Sequence, residues 1–242
     1  MESGTRAVVE LAWARALGLE DEAFLQAEDG PGRLTRVDDT AVTFVSLWEH
    51  RVLVGPGWLL ERAEGVDDAV LASGPGLLGL TVDPPAGVGA GRLLGEAVLA
   101  FTDAYLEHEG LESAVVSDEA QAVADLERQC PPDDVTEVGL AAMGQRFVLL
   151  DDRDAPTAGA GYEEWQGILG HVGVLTVPAL RREGHGLLVG ALAVNDALDA
   201  GLVPQWRARR ENAATLALGR RLGFEPVGVQ TSVVLPALPA AG

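Results

Sequence analysis

Apolar residues recur first at helical spacing, then in alternation, then in short unbroken runs, and each change of period marks an element. In residues 6 to 17, Val8, Leu11, Ala12 and Ala16 share one face and the pattern stops at Gly18, which predicts an amphipathic helix. After a turn at Gly30-Pro31-Gly32, Ala41 to Trp48 and Arg51 to Val54 are branched and aromatic around a polar break at Glu49-His50. That is a hairpin pattern, with His50 expected as a solvated turn residue and Trp48 and Trp58 expected in the core. Gly57 to Ala63 returns to helical spacing. Asp83 to Gly91, Asp-Pro-Pro-Ala-Gly-Val-Gly-Ala-Gly, is the strongest breaker cluster and reads as a flexible connection. Gly87, Gly89 and Gly91 are not read as a nucleotide loop, because no strand-and-helix unit of the needed spacing accompanies them. Leu93 to Leu106 is apolar enough to pack between the two halves of the chain.

From Ser113 the elements follow closely. Ala114 to Val116 reads as a short strand, Glu119 to Gln129 as a helix ended by Pro131-Pro132, and Arg146 to Leu150 as a strand turned by Asp151 to Asp154. Ala158 to Trp165 and Ile168 to Val177 read as two more strands. Next come a glycine-bearing turn, a helix with Leu187, Leu188, Ala191, Leu192 and Leu198 on one stripe, a strand over Leu202 to Arg207, and a helix from Asn212 to Phe224. The first of these helices should end at Ala200-Gly201 with glycine as its C-cap. Gly190 inside it costs about 1 kcal/mol relative to Ala, so close packing against a strand is expected there. Pro204 removes one ladder donor from the strand that follows.

The turn Arg181-Arg182-Glu183-Gly184-His185-Gly186 is the chemically suggestive one. Two residues without Cβ let a ligand approach the backbone, and the unpaired N–H groups at a helix start attract phosphate. Charge points the same way. The chain holds 37 acids against 17 bases, a net charge of −20, and every base is Arg. Between Arg181 and Arg221 the balance inverts, with seven Arg against four acids. A local cationic excess in an acidic chain suits a polyanionic cofactor, whereas the acidic remainder disfavours nucleic acid and anionic membrane as partners. The same acidity either provides solubility or favours a cationic substrate. Cys130 is the single cysteine, so no internal disulfide can form, and with no signal peptide in Met1 to Arg6 and no apolar run of about 20 residues a cytoplasmic location is expected.

The stretch Gly170 to Gly186, taken with Asn212 to Phe224, resembles the GNAT superfamily of N-acetyltransferases. That family carries V-x-x-P-x-x-R/Q-x-x-G-x-G/A on its central strand and helix and N-x-x-A/S-x-x-L-Y-x-x-x-G-F on its last helix. The resemblance covers roughly residues 113 to 236. It implies an α/β (α+β) fold: a GNAT-type mixed sheet flanked by helices in residues 111–242, preceded by a smaller α/β domain of unknown role in residues 1–110. The expected element order is strand, helix, three strands, helix, strand, helix, two strands, with one helix where the family commonly has two. Pro204 would lie where the family's sheet splays to admit its cofactor.

The resemblance further implies acetyl-CoA as co-substrate, no metal, and acetyl transfer to a primary amine of a small molecule or peptide by direct attack, without an acyl-enzyme. The pyrophosphate would rest on the amides of Arg182, Glu183, Gly184, His185, Gly186 and Leu187, following Arg181. The pantetheine arm would pair with the strand at Val174, Leu175 and Thr176, with the Val174 amide facing the thioester carbonyl. Asn212 would bond the pantetheine, cap its helix, or do both. The family's base position falls at Gly170 and its acid position at Gly219. Candidate bases are therefore Glu163, Glu164 and His171, and the nearest alternative acid is Tyr162. Those two glycines also motivate an alternative, a catalytically inactive acyl-CoA-binding sensor or regulatory module. Residues 1 to 110 would be a degenerate second copy of the fold, a lid on the acceptor site, or a surface for homodimerisation.

Overall fold

The computed structural model describes residues 1–27 and 32–236, so Gly30 and Pro31 of the expected turn lie outside the described residues. The elements in chain order are α1 (Ser3–Ala16), α2 (Ala23–Gln26), β1 (Leu34–Val37), β2 (Ala41–Leu47), β3 (His50–Gly55), α3 (Gly57–Arg62), α4 (Asp68–Leu71), α5 (Gly74–Gly79) and β4 (Arg92–Phe101). After them come β5 (Val116–Ser117), α6 (Ala120–Glu127), α7 (Pro132–Val138), β6 (Gln145–Leu150), β7 (Pro156–Trp165), β8 (Leu169–Thr176), α8 (His185–Asp199), β9 (Val203–Arg209), α9 (Ala213–Arg221) and β10 (Glu225–Val234). The fold is mixed α/β.

The chain divides into two compact units. One comprises Met1–Ala12, Ala100–Arg207 and Ala213–Glu225; the other comprises Trp13–Leu99, Ala208–Asn212 and the chain from Pro226 on. Compactness thus divides the chain differently from the contiguous 1–110 and 111–242. The reason is strand pairing: β10, late in the sequence, runs antiparallel to β2 from Gly228↔Leu47 to Val234↔Ala41, which draws the end of the chain into the unit built from its beginning.

In that second unit β2 and β3 form the expected hairpin and β1 joins β3 in parallel. Val42, Phe44, Leu53, Leu59, Leu71, Leu77 and Val233 make its core. Trp58 packs against this core, with the Arg62 guanidinium 4.7 Å from its ring. His50 is not a solvated turn residue. It opens β3, is only 5% exposed, and stacks on Phe24 with ring centroids 4.8 Å apart. The turn is borne instead by Trp48, at φ 49, and Glu49.

The first unit holds the stretch from β5 to α9 apart from Ala208–Asn212. Strands β5, β6, β7 and β8 are antiparallel neighbours, and β9 joins β8 in parallel. Helix α8 packs on β6, β7 and β8, while α6 packs on β6 and β7. Alternation along β8 separates the two faces: Val174 and Thr176 lie against α8, and Leu175 joins Val123, Leu126, Leu140, Met143 and Val148 in the core beneath α6 and α7.

Two expectations about element number are corrected here. Pro131-Pro132 ends α6 but also starts α7, because proline suits the first turn of a helix, where no amide partner is needed. Beyond α9 the described residues form one ten-residue strand, β10, rather than two. Both long helices of the motif close as glycine dictates. After α8, Leu202 N bonds Ala197 O at 2.9 Å with Gly201 at φ 77; after α9, Phe224 N bonds Gly219 O at 3.0 Å with Gly223 at φ 75. The Gly-Phe pair at the end of the motif is therefore a helix stop whose phenylalanine is buried.

Candidate functional site

Strands β8 and β9 pair at Leu169↔Val203, Gly170↔Pro204 and His171↔Gln205, and their ladder ends there although β8 continues to Thr176. Pro204 offers no N–H, and its carbonyl instead accepts the Thr102 amide at 3.3 Å. Beyond His171, no strand among the described residues pairs with the edge of β8 that faced β9. Pro204 thus stands at the last pairs before the strands part, as the sequence led us to expect.

At the far end of β8 the chain makes a single 3-10 turn over Pro178–Leu180, then Arg182 at φ 72 and Gly184 at φ 96, before α8 begins at His185. A left-handed residue that close to a helix start turns successive amides outward into one concave rim. Among the described residues, the amides of Arg182, Glu183, Gly184, His185 and Gly186 donate to nothing, whereas the Leu187 amide, expected as a sixth donor, is taken by the Gly184 carbonyl at 3.0 Å. No side chain caps α8 and no acid stands in its first turn, so its positive end is uncompensated from within.

The glycines fix how near α8 comes to β8. A Cβ on Gly186 would lie 2.7 Å from Thr176 Oγ1, and one on Gly190 would lie 2.9 Å from Leu222 Cδ1 and 3.3 Å from Val174 Cγ2. Gly184 is different: nothing approaches within 4 Å of its absent Cβ, so its space is open and only its backbone demands glycine.

Several side chains of the turn are already engaged. Arg181 donates to Asp134 Oδ2 at 2.6 Å and to the Thr176 carbonyl at 3.4 Å, which ties the turn to α7. Nothing local in the sequence signals that partner, 47 residues away. His185 Nε2 lies 3.6 Å from Glu183 Oε2, and its Nδ1 is buried without a partner among the described residues. Asn212 stands immediately before α9, with its amide bonded to the Arg209 carbonyl at 3.0 Å.

Faces of the sheet separate the candidate acid–base groups. Glu163 is opposite His171 in register and Glu164 is opposite Gly170, so the two glutamates face opposite ways. Glu163 shares the face of His171, and its Oε2 accepts the Gly144 amide at 3.2 Å. His171 is half-buried, and its Nδ1 has no partner among the described residues. Burial, and then the charge of Arg207, push its pKa down to about 4 against a hydrogen bond with the Gln205 backbone. At neutral pH the ring is therefore uncharged.

Tyr162 lies on the other face. Its ring is 4% exposed and its hydroxyl donates to Asp196 Oδ2 on α8 at 2.7 Å. Burial, and then this bond, hold its pKa well above the usual phenol range, so the group expected as an alternative acid keeps its proton and anchors α8 to β7. A side chain at Gly170 would run toward Ala197 Cβ at 3.2 Å and the Tyr162 ring at 3.5 Å. A carboxylate there would enter the packed side of the sheet. At Gly219, a Cβ would come within 2.9 Å of Trp206 Nε1 and Cδ1. The indole occupies the space that a side chain on α9 would need.

Trp206 was not singled out from the sequence. It is the first residue of β9 past the paired segment, 4% exposed, with its Nε1 unpartnered among the described residues. An unpaired buried donor of this kind costs roughly 1–3 kcal/mol. An aromatic residue two positions after a proline in a strand was the only local cue.

No family model matches the chain, and no curated protein matches it by sequence. Solved structures of similar fold include proteins described as members of the GNAT family. They include one from Novosphingobium aromaticivorans, with 21% identity, a TM-score of 0.48 and coverage of 65% of this chain and 71% of that one. A GCN5-related N-acetyltransferase from Kribbella flavida has 21% identity, a TM-score of 0.47 and coverage of 69% and 66%. A GCN5-related N-acetyltransferase-like protein from Streptococcus suis has 17% identity, a TM-score of 0.48 and coverage of 95% and 100%. These are likenesses of fold and assign no substrate. Among the described residues no helix is long and apolar enough to cross a membrane.

Proposed function

We propose that the protein is an acyl-CoA-dependent N-acyltransferase that moves an acetyl group from acetyl-CoA to a primary amine by direct attack. One observation carries the reading: the ladder between β8 and β9 stops after three pairs, and the strand edge so exposed leads to a rim of five free amides at the start of α8. A strand-like arm ending in a diphosphate matches both features at once, since the arm completes the ladder and the diphosphate takes the amides. Gly186 fits this use because it keeps the rim against Thr176, and Gly184 because it leaves the space before the amides clear.

Acetyl-CoA supplies an acyl group on a good leaving sulfur. The chain supplies position and proton handling. In this reading the backbones of Val174 and Thr176 bind the arm while Leu175 between them turns its polar groups to β7, and the Val174 amide supports the carbonyl oxygen as negative charge develops there. Asn212 is assigned to the arm or to the cap of α9. His171, uncharged at neutral pH, accepts the proton of the attacking amine, which becomes strongly acidic as the C–N bond forms. Glu163, on the same face, orients the acceptor amine, whereas Glu164 on the opposite face takes no part. In the division by function, residues 111–242 carry the transferase, and residues 1–110 a role of their own. The acceptor is a small molecule or peptide, with a cationic one favoured by the net charge of −20.

The test is calorimetric titration with acetyl-CoA, followed by an amine panel read as release of free CoA. Gly184→Val meets no neighbour but strains a backbone at φ 96, so it should lose the cofactor both by covering the amides and by shifting the turn, and a circular dichroism melt of the variant shows that the rest of the fold is kept. Unchanged affinity in that variant would remove the turn from the reading. Gly170 and Gly219 support a second reading, an acyl-CoA-binding module without turnover. Binding without acetylation of any amine in the panel would select it.

A further inference from the structure

We infer that the Trp206 indole N–H is a hydrogen-bond donor to the sulfur that leaves during acyl transfer. The inference rests on the acyl-CoA reading and deepens it. Trp206 is the first β9 residue beyond the pair His171↔Gln205, so it stands at the apex from which the exposed edge of β8 runs toward the amide rim. An arm lying along that edge with its diphosphate on the rim directs its other end, the thiol end, at this apex.

The indole is held there on two sides. Phe224 lies 5.3 Å away, centroid to centroid, at 37°, and Gly219 of α9 lets the ring sit where a Cβ would meet Nε1 at 2.9 Å. Held this way, and 4% exposed, the N–H finds no acceptor among the described residues. Indole nitrogen is a donor only, so nothing in its own chemistry relieves the orphaned proton. Buried donors in folded proteins are nearly always paired, and an acceptor that arrives with the ligand answers the exception. The N–H is screened from solvent, so contact requires β9 to yield at Trp206, the residue at which its ladder with β8 has already ended.

The step is balanced as follows. The amine nitrogen bonds to the acyl carbon, the carbon–sulfur bond breaks, and its electron pair leaves on sulfur. The amine proton passes to His171 and from there to solvent. Sulfur gains negative charge in this step and accepts the Trp206 N–H bond more strongly than the thioester sulfur does, which favours the transition state. Indole keeps its own proton throughout, and the thiolate takes one from water after release.

The experiment is a nitrogen–proton correlation spectrum of the tryptophan side chains, of which the chain has five. Trp206→Phe identifies the Trp206 peak by its loss; should that variant not fold, the other four Trp→Phe variants identify it by elimination. The protein is titrated with CoA and, separately, with adenosine 3′,5′-bisphosphate, which lacks the arm and thiol. The expected result is a shift of the Trp206 peak with CoA alone. Trp206→Phe should lower kcat about tenfold while calorimetric affinity for acetyl-CoA stays unchanged. CoA binding that leaves the Trp206 peak in place, or an equal shift with the bisphosphate, overturns the inference and leaves the CoA site standing. Absence of CoA binding overturns both.

Discussion

The bond from Tyr162 to Asp196 decides whether that tyrosine is structural or catalytic. Its hydroxyl donates at 2.7 Å from a ring that is 4% exposed, and the acceptor is a half-buried carboxylate on α8. Tyr162→Phe keeps the ring against Gly170 and deletes only the donor. A hydrogen bond to a charged group is worth about 1.5–3 kcal/mol, and in a chain of this size 1 kcal/mol moves the Tm by roughly 2–4 °C. The Tm should therefore fall by roughly 3–12 °C. A double-mutant cycle with Asp196→Ala, read by denaturant unfolding, should return a coupling of about 1–3 kcal/mol. Because the folded phenol pKa is raised, its stabilisation is complete below pH ~10, the unfolded value, and is lost as pH rises above that; Tyr162→Phe should abolish this alkaline decline. Turnover should hold within a factor of about two. Negligible coupling together with a collapse of kcat would show Tyr162 to be the acid and refute the anchoring role.

Four further outcomes are expected. His171, with its folded pKa lowered to about 4, contributes stability that is present above its unfolded value near 6.5 and is lost as pH falls toward 4. After allowance for partial exposure this amounts to about 1–3 kcal/mol, and His171→Gln should flatten that limb in urea titrations run from pH 7 to 4. Gly186→Val forces a Cβ to within 2.7 Å of Thr176 Oγ1 and should destabilise by about 1–3 kcal/mol in the same assay. Asp134→Ala breaks an exposed ion pair with Arg181 and should change stability by less than about 1 kcal/mol; a larger loss would mean that the pair holds α7 in place. Burial raises the Cys130 pKa, so alkylation should be slow in the native protein and fast in denaturant, and rapid native reaction would contradict the packing of α6 and α7.

Local chemistry was enough to specify the motif elements. Period marked β6, β7, β8 and α8, and glycine at 201 and 223 marked the stops, because a left-handed C-cap is a property of one residue and its neighbours. The free amides of the turn were legible for the same reason, since a helix start always leaves donors unpaired. Proline misled once, at α7, because the residue that ends a helix is also suited to begin one.

What the tertiary structure decided depends on residues far apart in sequence meeting across strands and helices. The return of β10 to β2 determined how the chain divides into compact units. His50 was buried by Phe24, 26 positions earlier, and Arg181 was claimed by Asp134. Strand parity alone placed Glu163 and Glu164 on opposite faces, but only the register with β8 showed that Glu163 is the one beside His171. Trp206 acquired its place from Gly219 and from the end of the β8–β9 ladder, neither of which a strand pattern records. Periodicity fixes which way a side chain points relative to its own backbone. What lies there is set by the packing of other elements, and the acid–base chemistry of this site depends on that packing.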